Sequence, residues 1–237
     1  MTTERSGLPL EPYGVPGDLT DPATELDKRS HRSRVILHEQ AGKAATNDRM
    51  RLFVAIAPPP EVLDELDAAA APFRDGRQDL RWTNREAWHV TLAFLGEVEE
   101  LAASRLIPRL ERAAGRHSTF SLAFAGAGAF PAAAKANVLW TGLGGDRRAL
   151  AELAASVNAG ARRAGAMPPD KGRRFQPHLT LARCRMPADV GSLVVALDGY
   201  QGLPWTADRI HLIHSRLGQQ PRFVTLGSWP LRAAPAA

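Results

Sequence analysis

The ordered pattern of apolar and polar positions starts at Met50. Arg51-Leu-Phe-Val-Ala-Ile56 is a short β-branched and aromatic run of the kind that fills a central strand. Pro58 to Pro60 then open a segment in which Val62, Leu63, Leu66, Ala70 and Phe73 fall on one helical face, with Gly76 as its stop. Leu80 to Trp82 reads as extended and Trp88 to Leu95 alternates as a strand. Glu97 to about Ala114 has the helical period, with Pro108 expected to kink or divide it. Phe120, Leu122 and Phe124 alternate with small residues, and Val138 to Leu143 is a second apolar run beyond the punctuation of Phe130-Pro131, so two paired strands are predicted. Leu150, Leu153, Val157 and Ala161 place a helix over Arg147 to Ala164. After a loop from Gly165 to Gln176, Pro177 to Cys184 reads as a strand. Val190 to Leu197 fits either a helix or a strand, and Trp205 to Leu217 and Phe223 to Trp229 read as two strands joined by a turn at Gly218 to Pro221. Strands and helices interleave, yet no Gly-rich phosphate loop or dinucleotide fingerprint follows any strand, which predicts an α+β fold with mainly antiparallel sheets.

Residues 1–49 break this pattern. They carry Pro, Gly, Asp, Thr and mixed charges without a sustained period, and are expected to form a disordered extension, or else to precede a true start at Met50. The folded domain is therefore placed at 50–232, with 233–237 as a tail. Composition agrees with a globular chain: of 237 residues, 44% are hydrophobic and 23% charged, and no apolar run approaches the length of a membrane span. There is no compact apolar segment near the N-terminus, so a cytoplasmic location and a monomer are the default expectations. Cys184 is the single cysteine, which excludes an internal disulfide and a Cys-rich zinc site. The formal net charge of +5 tilts the partner toward an anion such as nucleic acid.

The chemistry lies in an internal echo, His89-Val-Thr-Leu92 and His178-Leu-Thr-Leu181. Side chains alternate faces along a strand, so His89 and Thr91 share one face while Val90 and Leu92 take the other; His178 and Thr180 repeat this. One such strand is most simply a satisfied polar face. Two of them, brought together about a pseudo-two-fold, would place two imidazoles and two hydroxyls around one point. Phosphodiester cleavage needs one group to take a proton from the attacking oxygen and another to donate one to the leaving oxygen. Imidazole, with a reference pKa of about 6.5, can do either near neutral pH. The threonine hydroxyls would donate to the non-bridging phosphate oxygens. No metal or other cofactor is needed, and neither motif has an Asp, Glu or Cys at ligand spacing apart from Cys184. Around the second copy, Lys171, Arg173, Arg174, Arg183 and Arg185 form the densest basic stretch. Arg174 is a candidate phosphate clamp and Phe175 a candidate base-stacking residue, each against the simpler reading of a solvated loop with one core aromatic. Strict alternation places Arg183 with the core-facing leucines, away from the cleft. Trp88, Trp140, Trp205 and Trp229 are expected in the core. His211 and His214 point to opposite faces of one strand and cannot both join a site, while His117, His31 and His38 read as structural or solvated.

At these paired motifs the sequence resembles the two-histidine phosphoesterase superfamily, and within it the RNA 2′,3′-cyclic phosphodiesterase family, formerly called 2′-5′ RNA ligases. MRLFVAIAPP, WHVTLAFLGEV, NVLWTGL, RRFQPHLTLARCR and SRLGQQPRFVTLGSWPL carry the resemblance from Met50 to Leu231. It implies a bilobal fold, two mainly antiparallel sheets about a central cleft, flanked by helices, each sheet supplying one motif. It also implies that His89 is the proton donor, His178 the proton acceptor, and Thr91 and Thr180 phosphate ligands, acting on RNA with 2′,3′-cyclic phosphate ends. Spacing alone leaves open which histidine is acid and which is base. Ala136-Asn137 and Gln219-Gln220-Pro221-Arg222 depart from the family pattern, and residues 1–49 lie outside it.

Overall fold

The apolar run at the start of the ordered pattern forms β1 (Arg49–Ile56), with Leu52, Val54 and Ile56 on the face that enters the core. In the computed structural model, residues 49–166, 175–216, 218 and 222–234 are described, all within one folding unit that spans 34–237. The expected extension, apart from Arg49, lies outside the described residues, as do 235–237 of the expected tail.

Two antiparallel sheets carry the molecule. The first has the order β3-β1-β8-β9, from β3 (Val90–Glu99), β8 (Arg209–Ser215) and β9 (Phe223–Pro230) beside β1. The second has the order β2-β6-β5-β4-β7, from β2 (Leu80–Trp82), β4 (Phe120–Phe130), β5 (Ala136–Gly145), β6 (Leu179–Ala188) and β7 (Trp205–Ala207). This is the α+β, two-sheet arrangement expected from the sequence. The helices among the described residues are α1 (Pro60–Ala70), α2 (Glu100–Ala114), α3 (Arg147–Ala164) and α4 (Gly191–Asp198). The apolar stripes of α2 and α3, including Leu106, Leu110, Leu150, Leu153 and Val157, join the inward faces of both sheets in one buried cluster. Asn158 on α3 ties helix to strand by donating to the Leu92 carbonyl at 3.2 Å. The α3 helix ends where predicted, because Gly165 adopts φ +80° and its N–H turns back to the Ala161 and Arg162 carbonyls, a conformation favoured by a residue without Cβ. No helix among the described residues is long and apolar enough to cross a membrane.

Three expectations need correction. Trp205 to Leu217 is not one strand: β7 pairs with β4 in the second sheet and β8 with β1 in the first. The inward residues change parity here, from Trp205 and Ala207 to Ile210 and Leu212, across the exposed pair Asp208-Arg209. The α2 helix starts at Glu100, since β3 continues to Glu99, and it runs through Pro108 undivided. Pro108 and Ser104, the residue whose carbonyl loses its partner, are both exposed, so water can satisfy the freed group. Val190 to Leu197 resolves to helix α4, which buries Leu193 and Leu197.

Phe124, fully buried in β4 and in contact with the Trp205 ring, anchors the second sheet to the core. Phe124→Ala should lower unfolding free energy by about 3–5 kcal/mol, read from the midpoint shift in urea.

Candidate active site

His89 immediately precedes β3 and His178 immediately precedes β6. Beyond each histidine the two strands share one burial pattern. Val90 and Leu92 are buried with Thr91 half-buried between them, then Ala93 is also buried and Phe94 is open to solvent. In β6, Leu179, Leu181 and Ala182 are buried, Thr180 is half-buried and Arg183 is exposed. The cause is a β-bulge. Thr91 pairs with Ala55 and Ala93 with Val54, leaving Leu92 without a partner; Thr180 pairs with Trp140 and Ala182 with Leu139, leaving Leu181 without one. The extra residue seats two successive apolar side chains in the core and reverses the parity of the strand beyond it. The fifth residue after each histidine therefore returns to the histidine's face. Arg183 accordingly faces the cleft with His178 and Thr180, contrary to the strict alternation expected from the sequence.

Aromatic rings wall both imidazoles. Phe53, on the face of β1 opposite the core residues, stacks on His89 with centroids 4.6 Å apart, and Phe223 meets His89 edge-on at 5.7 Å. On the other sheet, Phe130 meets His178 edge-on at 4.9 Å and Trp140 lies 6.0 Å from it. Trp140 is thus a wall of the site and not a core residue, whereas Trp88, Trp205 and Trp229 are buried as expected. Trp140 lies across Gly128, where an added Cβ would come within 2.2 Å of the indole, so only glycine admits the ring in this position.

The electrostatics join the two sheets at one place. Burial holds His89 down at about 4, opposed by a backbone hydrogen bond at Ala87 and reinforced by the neighbouring charges of His178 and Arg183. Burial likewise pushes His178 below its ordinary value, opposed by its bond to Gln176 and reinforced by Arg183. Nδ1 of His178 lies 2.8 Å from the Gln176 carbonyl oxygen, a contact in which the ring nitrogen must donate; in the neutral form Nε2 is then the free acceptor. Each histidine is thus held by the backbone carbonyl of the residue two positions before it. The Thr91 and Thr180 hydroxyls make no hydrogen bond among the described residues and remain available as donors. The resulting site has two imidazoles that can exchange protons, two hydroxyls and a guanidinium, which suits a tetrahedral oxyanion.

Other expected residues fare differently. Arg174, with Lys171 and Arg173, lies outside the described residues. Phe175 is half-buried against the core cluster, the simpler of its two readings. His117 is engaged with the Ser156 hydroxyl at 2.8 Å, a structural role. His211 sits on the same sheet face as Thr91, in a cross-strand row with Ala55 between them, while His214 pairs with core-facing Leu52. Cys184 is half-buried and burial raises its thiol pKa, away from nucleophilic character. Among the described residues no three His, Cys, Asp or Glu side chains gather as metal ligands.

Sequence reasoning missed Arg183, Phe94, Phe53, Phe130, Trp140 and Phe223. A signal for the first two was present. The echo extends past Leu92 and Leu181 to His-x-Thr-Leu-Ala-x, and the adjacent apolar pairs Leu92-Ala93 and Leu181-Ala182 are incompatible with unbroken alternation. The rings come from strands far apart in sequence and left no local trace.

A family model described as the 2′-5′ RNA ligase superfamily matches residues 58–219. An RNA 2′,3′-cyclic phosphodiesterase of Geobacillus stearothermophilus is 29% identical over 173 residues, which are 71% of this chain and 51% of that protein. An Aquifex aeolicus protein of the same name is 28% identical over 133 residues, 56% of this chain and 70% of that one. The match thus spans about half the length of the Geobacillus relative. Among solved structures, Escherichia coli LigT in complex with 3′-AMP superposes with a TM-score of 0.63 at 26% identity, covering 78% of this chain and 99% of LigT.

Burial of His89 has a consequence for stability. The unfolded chain binds a proton at this side chain near pH 6.5, the folded protein only near 4. The contribution of His89 to stability is therefore whole above about pH 6.5 and is lost as pH falls toward 4. Denaturation midpoints at a series of pH values should show the wild type losing stability relative to His89→Gln over that interval; parallel curves would mean the imidazole is not desolvated.

Proposed function

The chain belongs to the 2′-5′ RNA ligase superfamily, and on that footing we propose that it is a metal-independent enzyme that hydrolyses RNA 2′,3′-cyclic phosphate ends to 2′-phosphomonoesters. The observation that carries this reading is the pair of identically bulged strands whose histidines, from opposite sheets, sense each other and Arg183. The names of the relatives support the same substrate class.

His178 Nε2 takes a proton from water, and the water oxygen attacks phosphorus. The bond from phosphorus to O3′ breaks, and His89 delivers a proton to O3′, leaving a 2′-phosphate and a free 3′-hydroxyl. Thr91, Thr180 and Arg183 hold the non-bridging oxygens, whose charge grows in the transition state. The acid role requires His89 as a cation where burial, His178 and Arg183 all oppose it. The anionic phosphate is the charge that offsets them, so protonation of His89 is coupled to substrate binding. If the 5′-hydroxyl of a second strand took the place of water, the same proton transfers would give a 2′-5′ linkage, so product analysis, not binding, decides between hydrolysis and ligation.

Incubation of an oligoribonucleotide carrying a 2′,3′-cyclic phosphate, in the presence of a chelator, should yield a 2′-phosphate end. His89→Ala and His178→Ala should each lower kcat by about 10²–10⁴ with the fold intact. Unchanged substrate with the wild type, or a rate abolished by the chelator, would reject the reading. The pH dependence adds a second test. The profile of kcat/KM reports the free enzyme, whose histidines are depressed, and should be bell-shaped with its acid limb below pH 6.5; the profile of kcat, which reports the complex, should move to higher pH.

A further inference from the structure

Arg81 on β2 and Arg183 on β6 are directly paired across the strands, so their side chains share a face. Like charges in that arrangement repel, and a strand pair is weakened by them unless something between them is negative. Neither is in an ion pair with a carboxylate among the described residues, and the same is true of Arg51 and Arg222. Yet the charges of Arg81, Arg222 and Arg51 all reach Arg183, and together with burial they hold its guanidinium below the ordinary value. Arg51 and Arg222 come from the first sheet, Arg81 and Arg183 from the second.

One phosphate does not need this much positive charge. A 2′,3′-cyclic phosphate carries a single negative charge, and a phosphomonoester about −1.5 to −2 near neutral pH. Arg183 and one protonated histidine already match that. Arg51, Arg81 and Arg222 are surplus. Beside them, Phe94 is 41% exposed although it lies on a strand that is otherwise anchored in the core, and the Arg51 guanidinium sits over its ring at 5.2 Å. Arg222 stands in the same relation to Phe223, at 5.4 Å. Phe94 occupies the position in the first strand that Arg183 occupies in the second, the fifth after the histidine. Where one copy of the repeat offers a cation to phosphate, the other offers a flat apolar face beside a cation.

We infer that the cleft contains a second phosphate subsite, formed by Arg51, Arg81 and Arg222, with Phe94 as a platform for a base, and that it takes the nucleotide preceding the cyclic end. This rests on the reading of the cleft as a site for RNA ends. A 2′,3′-cyclic phosphate terminates the 3′ side of a strand, so the neighbouring nucleotide and its phosphate lie on the 5′ side. The preferred substrate class is therefore an oligoribonucleotide and not a mononucleoside cyclic phosphate. Aromatic stacking with cationic backbone contacts is a sequence-tolerant mode of single-strand binding, so the subsite reads the presence of a nucleotide more than its base.

Binding of three product-like ligands tests this without relying on turnover: adenosine 2′-phosphate, adenosine 2′,5′-bisphosphate, and the dinucleotide ApA with a terminal 2′-phosphate, titrated calorimetrically at low salt. The bisphosphate should bind about tenfold or more tightly than the monophosphate, the gain expected of a charge-assisted contact. The dinucleotide should bind roughly fivefold more tightly still through stacking. Arg51→Gln and Arg81→Gln should each narrow the first gap, and Phe94→Ala the second. Arg81→Gln should also raise the melting temperature of the ligand-free protein at low salt by relieving the cross-strand repulsion, an effect that a purely structural arginine would reverse. Three ligands bound within twofold of one another, or gaps that survive all three variants, would overturn the subsite; a dinucleotide no tighter than the bisphosphate would overturn the base platform. Failure of the phosphodiesterase reading would appear separately, as no turnover of a cyclic-ended oligonucleotide whatever the order of binding.

Discussion

A strand that presents a reactive side chain must also be held, and in this protein the unpaired leucine of each bulge reconciles the two demands. Leu92 and Leu181 leave the hydrogen-bond register yet stay in the core, beside Ala93 and Ala182. Three apolar anchors within four residues then fix the backbone against the buried cluster, and that rigidity is what allows His89 and His178 to be aimed from the strand ends. The same extra residue sends Phe94 and Arg183 back to the open face. Without the bulges, Phe94 and Arg183 would turn into the core, and the cleft would lose its guanidinium.

Around that frame the site is apolar at the sides and positive at the mouth. Phe53 and Phe223 on one side, Phe130 and Trp140 on the other, remove water from the imidazoles and depress both. The arginines add charge of the sign least welcome to a protonated histidine. An empty cleft of this kind is electrostatically unfavourable, and an anion relieves both stresses at once by pairing with the guanidinium groups and by allowing an imidazole to charge. Binding and proton placement are therefore one event, and part of the folding stability given up at the arginines is recovered only with ligand.

The topology explains why such a site needs both halves. The chain lays β1 in the first sheet, β2 in the second, returns to the first for β3, and crosses again before β4 and after β7. Neither sheet is a continuous stretch of sequence, and one cluster of apolar side chains serves both. The short link at Asp208 is the last crossing: the Asp208 carbonyl accepts from the Leu231 N–H at 2.7 Å, which closes β8 and the final turn of the chain onto each other. A register error in either sheet would separate the two histidines even if each strand remained intact.

Much of this was legible in the residues. Periodicity located α1 and α3, the β4–β5 pair and the two motif strands, because apolar side chains at regular spacing have to be buried on one side of whatever element they form. The repeated His-x-Thr identified the reacting groups, since few other pairings of side chains can both give and take a proton near neutral pH. Local period, however, assumes that pairing is regular. It could not foresee the bulges that turn Arg183 toward His178, the split of Trp205 to Ser215 between two sheets, or the helix that runs on through Pro108, because each depends on which neighbour a segment packs against or whether water reaches it. Nor could it gather Arg51, Arg81, Arg183 and Arg222, which come from four strands or strand ends and acquire a common meaning only when strand register sets their charges on one cleft. Sequence determined which groups do the chemistry; register and long-range packing decided which way they point and what stands beside them.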